Sequence, residues 1–308
     1  MKKTLDVIIP VYNGLPYVIT TLRSVINQTQ KPDRIIIVND GSTDKTVEEL
    51  EKIQKAVPSA NIEIITKSNG GHSSATNIGI QNSKADFIAL VDADDVWLPN
   101  KLEKQMLVFL NSEIPNLGVV YTDYKCIDQN DQIINVPGFQ LDRNARGEIF
   151  GKLLSDGNLI AGSNSAVLIK RECLEKSGAF DEHLRCGEDW DVWIRIAQYY
   201  TYDFVPEVLV YIRKHPHNLS NVPMIHLKSN LYILQKWVDE LHELGGYTLI
   251  ANHLSVATIS NLTDLFFKKE HQPLRKYVLK LSKDFPYPRL IIIWGLLRKF
   301  RKKLTKIF

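Results

Sequence analysis

The sequence predicts an α/β fold built on a parallel sheet with helices on both faces, followed by a helical region. Two observations carry this. Short apolar, β-branched runs alternate with amphipathic helical patterns over the first hundred residues. Polar and acidic residues then cluster directly after those runs, where open α/β sheets bind their ligands.

The strands are expected at Leu5–Val11, Arg34–Asn39, Ile62–Thr66 and Phe87–Val91, each ending in polar or glycine-containing sequence. Continuous apolar strands of this kind are buried on both faces, as parallel strands are. Helical patterns lie between them at Pro16–Gln28, Asp44–Ala56 and Ser73–Gln81. Ser42-Thr43-Asp44 offers N-capping chemistry to the second. After Pro99 the spacing predicts a helix at Asn100–Leu110, a strand at Leu117–Tyr124 and a polar loop at Asp128–Asp131. A glycine- and charge-rich segment at 137–147 reads as a mobile loop. Ser163–Lys170 reads as a strand, Glu188–Tyr200 as a helix, Tyr202–Arg213 as a short paired-strand region and His215–Val222 as a polar loop. From Met224 the chain reads helical. Leu227, Leu231, Leu234, Val238 and Leu241 form one apolar stripe that Gly245-Gly246 ends, with further helices expected at 248–268 and 273–283.

The chain has 308 residues, enough for about two domains at roughly 100–200 residues each. With 44% apolar and 24% charged residues it excludes collagen, coiled coil and wholesale disorder. Its three cysteines, Cys126, Cys173 and Cys186, are odd in number and scattered, which fits a reducing compartment rather than a disulfide framework or zinc site. The N-terminal apolar stretch is broken by Asp6 and Pro10, so it reads as a buried strand rather than a signal peptide. No run of 18 apolar residues predicts a membrane span. The net charge of +3 is unevenly spread: residues 289–308 hold seven basic residues and no acid, leaving 31 basic and 35 acidic residues in the rest. That distribution argues against a general nucleic-acid binder and for a tail with its own partner.

Asp92-Ala93-Asp94 follows the fourth strand, and carboxylates spaced this way in a turn suit a hard cation such as magnesium or manganese. The alternative is a set of turn and capping residues. Asp40-Gly41-Ser42 follows the second strand; Asp40 suits a base or ribose contact, while Ser42 or Thr43 suffices as a cap. Lys67, Asn69, Gly70 and Gly71 form a polar turn before a helix, a place for phosphate or base contacts. No Walker or G-x-G-x-x-G pattern is present, which argues against a P-loop NTPase and against standard dinucleotide binding. Glu188 and Asp189 open a helix, where the helix dipole alone accounts for them and a general base is the functional alternative. Arg213, His215 and His217 are placed to hold a diphosphate or complete a metal site, or to be solvated loop residues.

Taken together, VIIPVYNG (7–14), VNDGSTD (38–44), NGGHSSATNIGI (69–80), DADDVWLPNKLEKQ (92–105), GEDWDVWIRIA (187–197) and YIRKHPHNLS (211–220) resemble the family 2 glycosyltransferases. The resemblance implies a GT-A fold: a Rossmann-like mixed sheet flanked by helices over residues 1–222, with a nucleotide-binding half (1–98) and an acceptor-binding half (99–222). A helical C-terminal extension, 223–308, lies beyond it. The implied activity is inverting, metal-dependent transfer from a nucleotide-sugar, with a UDP-sugar as donor and Mn2+ or Mg2+ as cofactor. Carried over, Pro10, Val11 and Tyr12 would line the base pocket and Asp40 would read the base. Lys67 and Asn69 would lie near it, and Asp92 at the ribose. Asp94 and His215 would bind the cation, and Arg213 would face the diphosphate. Asp189 would be the catalytic base, with Glu188 as its neighbour. The chain departs from the family at Ala75-Thr76-Asn77, where Ala-Arg-Asn is usual. The missing cation bears on diphosphate contacts or donor preference, and His72 is the neighbour able to compensate.

The tail, RLIIIWGLLRKFRKKLTKIF at 289–308, interleaves apolar bulk with cations and reads as an interfacial membrane helix. Basic residues gain roughly 1 kcal/mol each beside anionic lipid. The expected acceptor is therefore a glycan, lipid-linked, in cell-surface polysaccharide or glycoconjugate synthesis, and the expected location cytoplasmic, peripheral at the inner membrane face. A sugar nucleotidyltransferase is disfavoured because VYNGLPYV lacks a basic activation loop. A catalytically inactive sugar-nucleotide-binding or scaffold protein is disfavoured by the intact acids.

Overall fold

A computed structural model describes residues 3–135, 142, 145–156, 160, 163–216, 218 and 223–245. Among these residues nine strands form one mixed sheet. The first four, β1 (Leu5–Val11), β2 (Arg34–Asn39), β3 (Ile62–Thr66) and β4 (Phe87–Leu90), stand where the apolar runs predict them. They pair in parallel in the order β3-β2-β1-β4. Every residue of β1 is buried, as expected of a central strand covered on both sides. Val7, Ile9 and Val11 join Val18, Leu22 and Val25 of α1 (Val18–Ile26) in one core cluster. The opposite face of β1 presents Ile8 to α3 (His72–Asn82), which approaches so closely that a Cβ on Gly79 would lie 2.3 Å from Ile8 Cγ2. The helix α2 (Thr46–Ala56) lies between β2 and β3 in the chain.

The sheet changes character at β4. Its other neighbour, β8 (Val167–Lys170), runs antiparallel to it. Next come β6 (Leu117–Ile127), β9 (Thr201–Arg213) and β5 (Val96–Trp97), with the short β7 (Ile133–Ile134) paired to β6. The helix α4 (Lys101–Asn111) packs on β6 and β9. Three further helices complete the first unit: α5 (Phe150–Asp156), α6 (Arg171–Ser177) and α7 (Glu188–Ala197). Open α/β sheets bind ligands in the crevice beyond the carboxyl ends of their parallel strands, and the Asp92–Asp95 turn occupies that position after β4.

Several expectations change. Ser163–Ala166 is not strand: Ser163 Oγ accepts from Ser165 N, and Asn164–Ala166 form a 3-10 turn before β8. Serine favours such local bonds over a ladder. Residues 201–213 are one strand parallel to β6 rather than a strand pair, with register irregularities between Thr122 and Tyr124. Ser42 and Thr43 do not cap α2. Their hydroxyls bond Asn13 across the strand ends, and Asp44 Oδ1 alone accepts from Thr46 N. The strands β5 and β7 and the helices α5 and α6 are too short to show periodicity in sequence.

By internal contacts the chain divides after His215, a second unit beginning at Pro216. Within it α8 (Pro223–Lys236) leads to further helix ending at Gly245. Leu234 and Leu241 of the expected stripe are buried and Val238 is half-buried. The side chains of Leu227 and Leu231, most of the 137–147 loop, the helices expected after residue 248 and the basic tail lie outside the described residues. No helix among the described residues is long and apolar enough to cross a membrane.

The Gly79–Ile8 contact leads to a test. Gly79→Ala forces a methyl into a filled space, and overpacking of this kind costs about 1–3 kcal/mol. Urea denaturation of the variant is expected to show a loss in that range; an unchanged midpoint would mean that α3 sits farther from β1.

Candidate active site

The carboxyl ends of β1, β2 and β4 deliver the expected polar residues to one region. Tyr12, just past β1, is 51% exposed, while Val11 points into the core and Pro10 is buried. Of the three, the tyrosine alone offers an exposed ring. Asp40, past β2, is buried and works within the protein. Its Oδ1 accepts from Lys67 Nζ at 2.8 Å and Gly70 N at 2.8 Å, and its Oδ2 from Gly71 N at 2.7 Å. Asn69 Nδ2 donates to the Asp40 carbonyl. Thus Asp40, Lys67 and Asn69 are brought together, with the carboxylate shaping the 67–71 turn. Gly71 has a φ of 93°, a backbone region that side chains rarely adopt. The turn ends at the start of α3 with His72.

The Asp92–Asp95 turn is the most constrained part of the site. Asp92 Oδ1 lies 3.0 Å from His72 Nε2, and its Oδ2 accepts from Ser163 Oγ at 2.9 Å. Burial opposes the charged form of Asp92, but the bonds from His72, Ser163 and Asn164 hold its carboxyl below the usual range. Asp95 is almost fully buried. It accepts from Ser165 Oγ at 2.5 Å and Arg213 N at 2.9 Å, and shares with Asp92 the one proton of Ser163 Oγ, which lies 2.9 Å from each carboxylate. Burial, then the charges of Asp94 and Asp92, raise its carboxyl well above the usual range. Asp95, Ser163 and Ser165 were not among the expected site residues. Their signal was available only as an extra acid beside Asp94 and two serines flanking one residue.

Asp94 Oδ2 meets His215 Nε2 at 3.0 Å, so these two expected metal-side residues are adjacent. His215 stacks on Tyr17 at 5.0 Å between ring centroids, and the Arg213 guanidinium carbon lies 4.6 Å from the same ring. Arg213 itself is placed differently from the expectation that it faces a diphosphate. It is 2% exposed, and its guanidinium donates to the carbonyls of Asp94 and Asp128 and pairs with Asp131 at 2.7 Å. Each of its three nitrogens has one of these partners, which ties the Asp92–Asp95 turn to the turn after β6.

Glu188 and Asp189 begin α7, after Gly187 in a left-handed conformation. Acids in a first turn are favoured by the helix dipole. The third acid of the turn, Asp191, is buried and pairs with Arg195 at 2.9 Å; Arg195 also reaches the carbonyls of Ser177, Gly178 and Ala179. That pair is a structural clamp. Glu188 instead reaches across to His72, with Oε1 3.4 Å from Nδ1, a charge contact rather than a well-formed hydrogen bond. Burial pushes Glu188 up to about 7; His72 pulls it down, while Asp189 and Asp92 add to the rise. For His72, burial disfavours the charge, but Asp92 and then Glu188 and Asp94 outweigh it and push the imidazole up to about 9. Asp189 Oδ1 accepts from Trp190 N. Thr76 is buried and bonds back to the His72 carbonyl.

Among the described residues no group of three or more His, Cys, Asp or Glu side chains is arranged as a metal cage. Asp94 and His215 together offer one carboxylate and one imidazole, which suits a cation that takes its remaining ligands from a bound anion. Removing Asp95 strands its hydrogen-bond donors. Asp95→Ala is expected to cost about 1–3 kcal/mol in chemical denaturation, and Ser165→Ala less. Equal midpoints for the Asp95 variant and wild type would show that these bonds add nothing.

The profile of Glycosyl transferase family 2 matches residues 6–178, the segment that holds β1–β4 and the Asp92–Asp95 turn. An uncharacterized glycosyltransferase of Rickettsia typhi is 32% identical over 281 residues, covering 90% of this chain and 83% of its own length. One from Rickettsia prowazekii is 33% identical over 280 residues, with the same coverage. Among solved structures, S. aureus TarS 1-349 in complex with UDP-GlcNAc aligns with a TM-score of 0.65 at 19% identity, over 88% of this chain and 78% of that one. The mannosyltransferase PcManGT from Pyrobaculum calidifontis, in complex with GDP-Man and Mn2+, aligns with a TM-score of 0.58 at 16% identity, over 98% of this chain and 88% of that one. These likenesses establish a GT-A fold, and the profile match together with the Rickettsia relatives establishes that this chain belongs to glycosyl transferase family 2.

Proposed function

We propose that this chain transfers a sugar from a UDP-sugar to a hydroxyl of a glycan acceptor, with inversion at the anomeric carbon. The carrying observation is the meeting of two acid sets from the two halves of the sheet. Asp92 and Asp94 come from the end of β4, Glu188 from the start of α7, and one imidazole touches both sides. A nucleotide-sugar seated over the carboxyl ends of β1, β2 and β4 would present its reacting carbon between them. TarS was crystallised with UDP and with UDP-GlcNAc, which supports a uridine donor. The GDP-Man complex of the mannosyltransferase keeps guanine as the competing choice.

In this reading Tyr12 borders the base. Asp40 acts with Lys67 and Asn69 by shaping the base-side turn. Asp92 meets the ribose. Asp94 and His215 would hold Mn2+ or Mg2+, which neutralises charge on the departing diphosphate when bound. Arg213 keeps Asp94 in place from behind. A sugar hydroxyl is a weak nucleophile near neutral pH, so a carboxylate must take its proton as the new bond forms. Asp189 is assigned that role, with Glu188 beside it. The elevated carboxyl of Glu188, at about 7, favours a second reading in which Glu188 is the base. Residues 289–308 would bring the enzyme to an anionic membrane surface at the inner face, and the acceptor would be lipid-linked. Residues 1–222 would act as the transferase domain and 223–308 as its helical extension.

Calorimetry with UDP, GDP, CDP and dTDP, with Mn2+ and then with chelator, tests the donor site. Metal-dependent UDP binding is expected, weakened at least about tenfold in Asp94→Ala. Preference for GDP would overturn the uridine assignment. Asp189→Asn is expected to lower turnover of the donor by about 100-fold or more while sparing UDP affinity. A comparable loss in Glu188→Gln with Asp189→Asn near wild type would transfer the base role to Glu188. Full-length protein is expected to float with anionic vesicles and a chain lacking 289–308 to stay behind; equal flotation would remove the tail from that role.

A further inference from the structure

Most chemistry-bearing side chains near the crevice are accounted for by the family reading or by the packing of the turn. His72 is not. It stands at the first turn of α3, where the helix dipole disfavours a positive charge. A residue chosen only to begin a helix would be acidic or neutral. Yet Asp92 and Asp94 from the turn after β4, and Glu188 from α7, all bias this ring toward its charged form. Its two ring nitrogens face opposite halves of the molecule: Nε2 lies 3.0 Å from Asp92 Oδ1 and Nδ1 3.4 Å from Glu188 Oε1. The ring is 27% exposed, so it borders the crevice rather than the core.

The helix that carries it is bolted down on both sides. Gly70 N and Gly71 N, just before it, bond to Asp40. Ser73 Oγ bonds to the Leu184 carbonyl, and Asn77 exchanges bonds with the main chain of Phe180 and also reaches Glu182. The start of α3 thus spans from the base-side turn to the segment that leads into α7. Asp92 needs little further restraint, because Ser163 holds its second oxygen. Among the described residues Glu188 receives no comparable side-chain bond from its own half. The backbone before it turns through Gly187 in a left-handed conformation, and the Glu188 carboxyl also meets its own backbone N–H.

We propose that His72 is a positioning residue: it ties Glu188, on the acceptor side, to Asp92, on the donor side, and so sets the spacing of the two acid sets across the crevice. The functional meaning of the tie rests on the glycosyl-transfer assignment of the same site; the tie itself rests on the contacts above.

Carboxyl footprinting of the full-length protein with carbodiimide and glycine ethyl ester tests the tie without needing turnover. Trypsin releases residues 186–195, which carry Glu188, Asp189 and Asp191, and residues 85–101, which carry Asp92, Asp94 and Asp95 beside the exposed Asp86, so labelling is assigned to single residues by fragmentation. His72→Ala is expected to raise labelling at Glu188 several-fold and at Asp92 much less, with the buried Asp191 unchanged. If Asp191 labelling also rises, the variant has lost its fold. His72→Gln then decides: an amide keeps the reach to Asp92 and loses the one to Glu188, so the same Glu188-selective rise is expected. Unchanged labelling at Glu188 in a folded variant overturns the proposal. The functional readout is a split. UDP affinity with Mn2+ and the KM for UDP-GlcNAc should stay near wild type, while kcat for UDP release falls about tenfold or more. Parallel loss of UDP binding would make His72 a donor-site residue and overturn the positioning role. A wild type that neither binds UDP nor releases it from UDP-GlcNAc overturns the donor assignment instead, and the footprint still decides the tie.

Discussion

Like charges crowd one end of the sheet, and the surrounding structure is organised to tolerate them. Asp92, Asp94 and Asp95 share one turn, and Glu188 and Asp189 share another. Asp92 and Asp94 raise the carboxyl of Asp95, and Asp189 and Asp92 that of Glu188. Such a set cannot ionise fully without compensation. Each compensating group comes from a distant stretch of chain: Ser163 and Ser165 from the turn before β8, Arg213 from the end of β9, and His72 from the start of α3. The fold is the means by which these groups reach the same few ångströms.

The position of β4 makes this possible. It pairs in parallel with β1 and antiparallel with β8, so its carboxyl end faces both the orderly parallel half and the mixed half. The parallel half supplies the Asp40 and Lys67–Gly71 turns; the mixed half supplies the serines, Arg213, His215 and α7. Tyr17 adds a link that crosses between them. It is carried on the approach to α1, yet its ring meets both His215 and Arg213 from β9 and beyond.

The parallel half was legible in the sequence because its strands are unbroken apolar runs, and burial on both faces leaves no other explanation for them. The mixed half was less so. β9 looks like a strand pair because irregular pairing with β6 interrupts its alternation, and Ser163–Ala166 looks extended although its serine hydroxyl closes a local turn. The residues of the candidate site were visible as types in suggestive places, but not as partners. Nothing local distinguishes Asp95, which the protein consumes internally, from Asp94, which meets His215. Arg213 reads as a phosphate ligand until the carbonyls of Asp94 and Asp128 are seen to occupy it. Those partners lie some 85 and 119 residues away in the chain, beyond the range of any spacing rule.

The buried Asp95 has a consequence for how this chain can evolve. It joins the turn after β4, the turn before β8 and the last residue of β9 through one carboxyl group. Tolerated substitutions at this end of the sheet fall around this knot rather than within it, because a change there alters three segments at once. Change on this face is more easily absorbed by exposed side chains such as the ring of Tyr12. The acids that look most alike in the sequence thus answer to different constraints: Asp95 is bonded into three segments, whereas Asp94 meets His215.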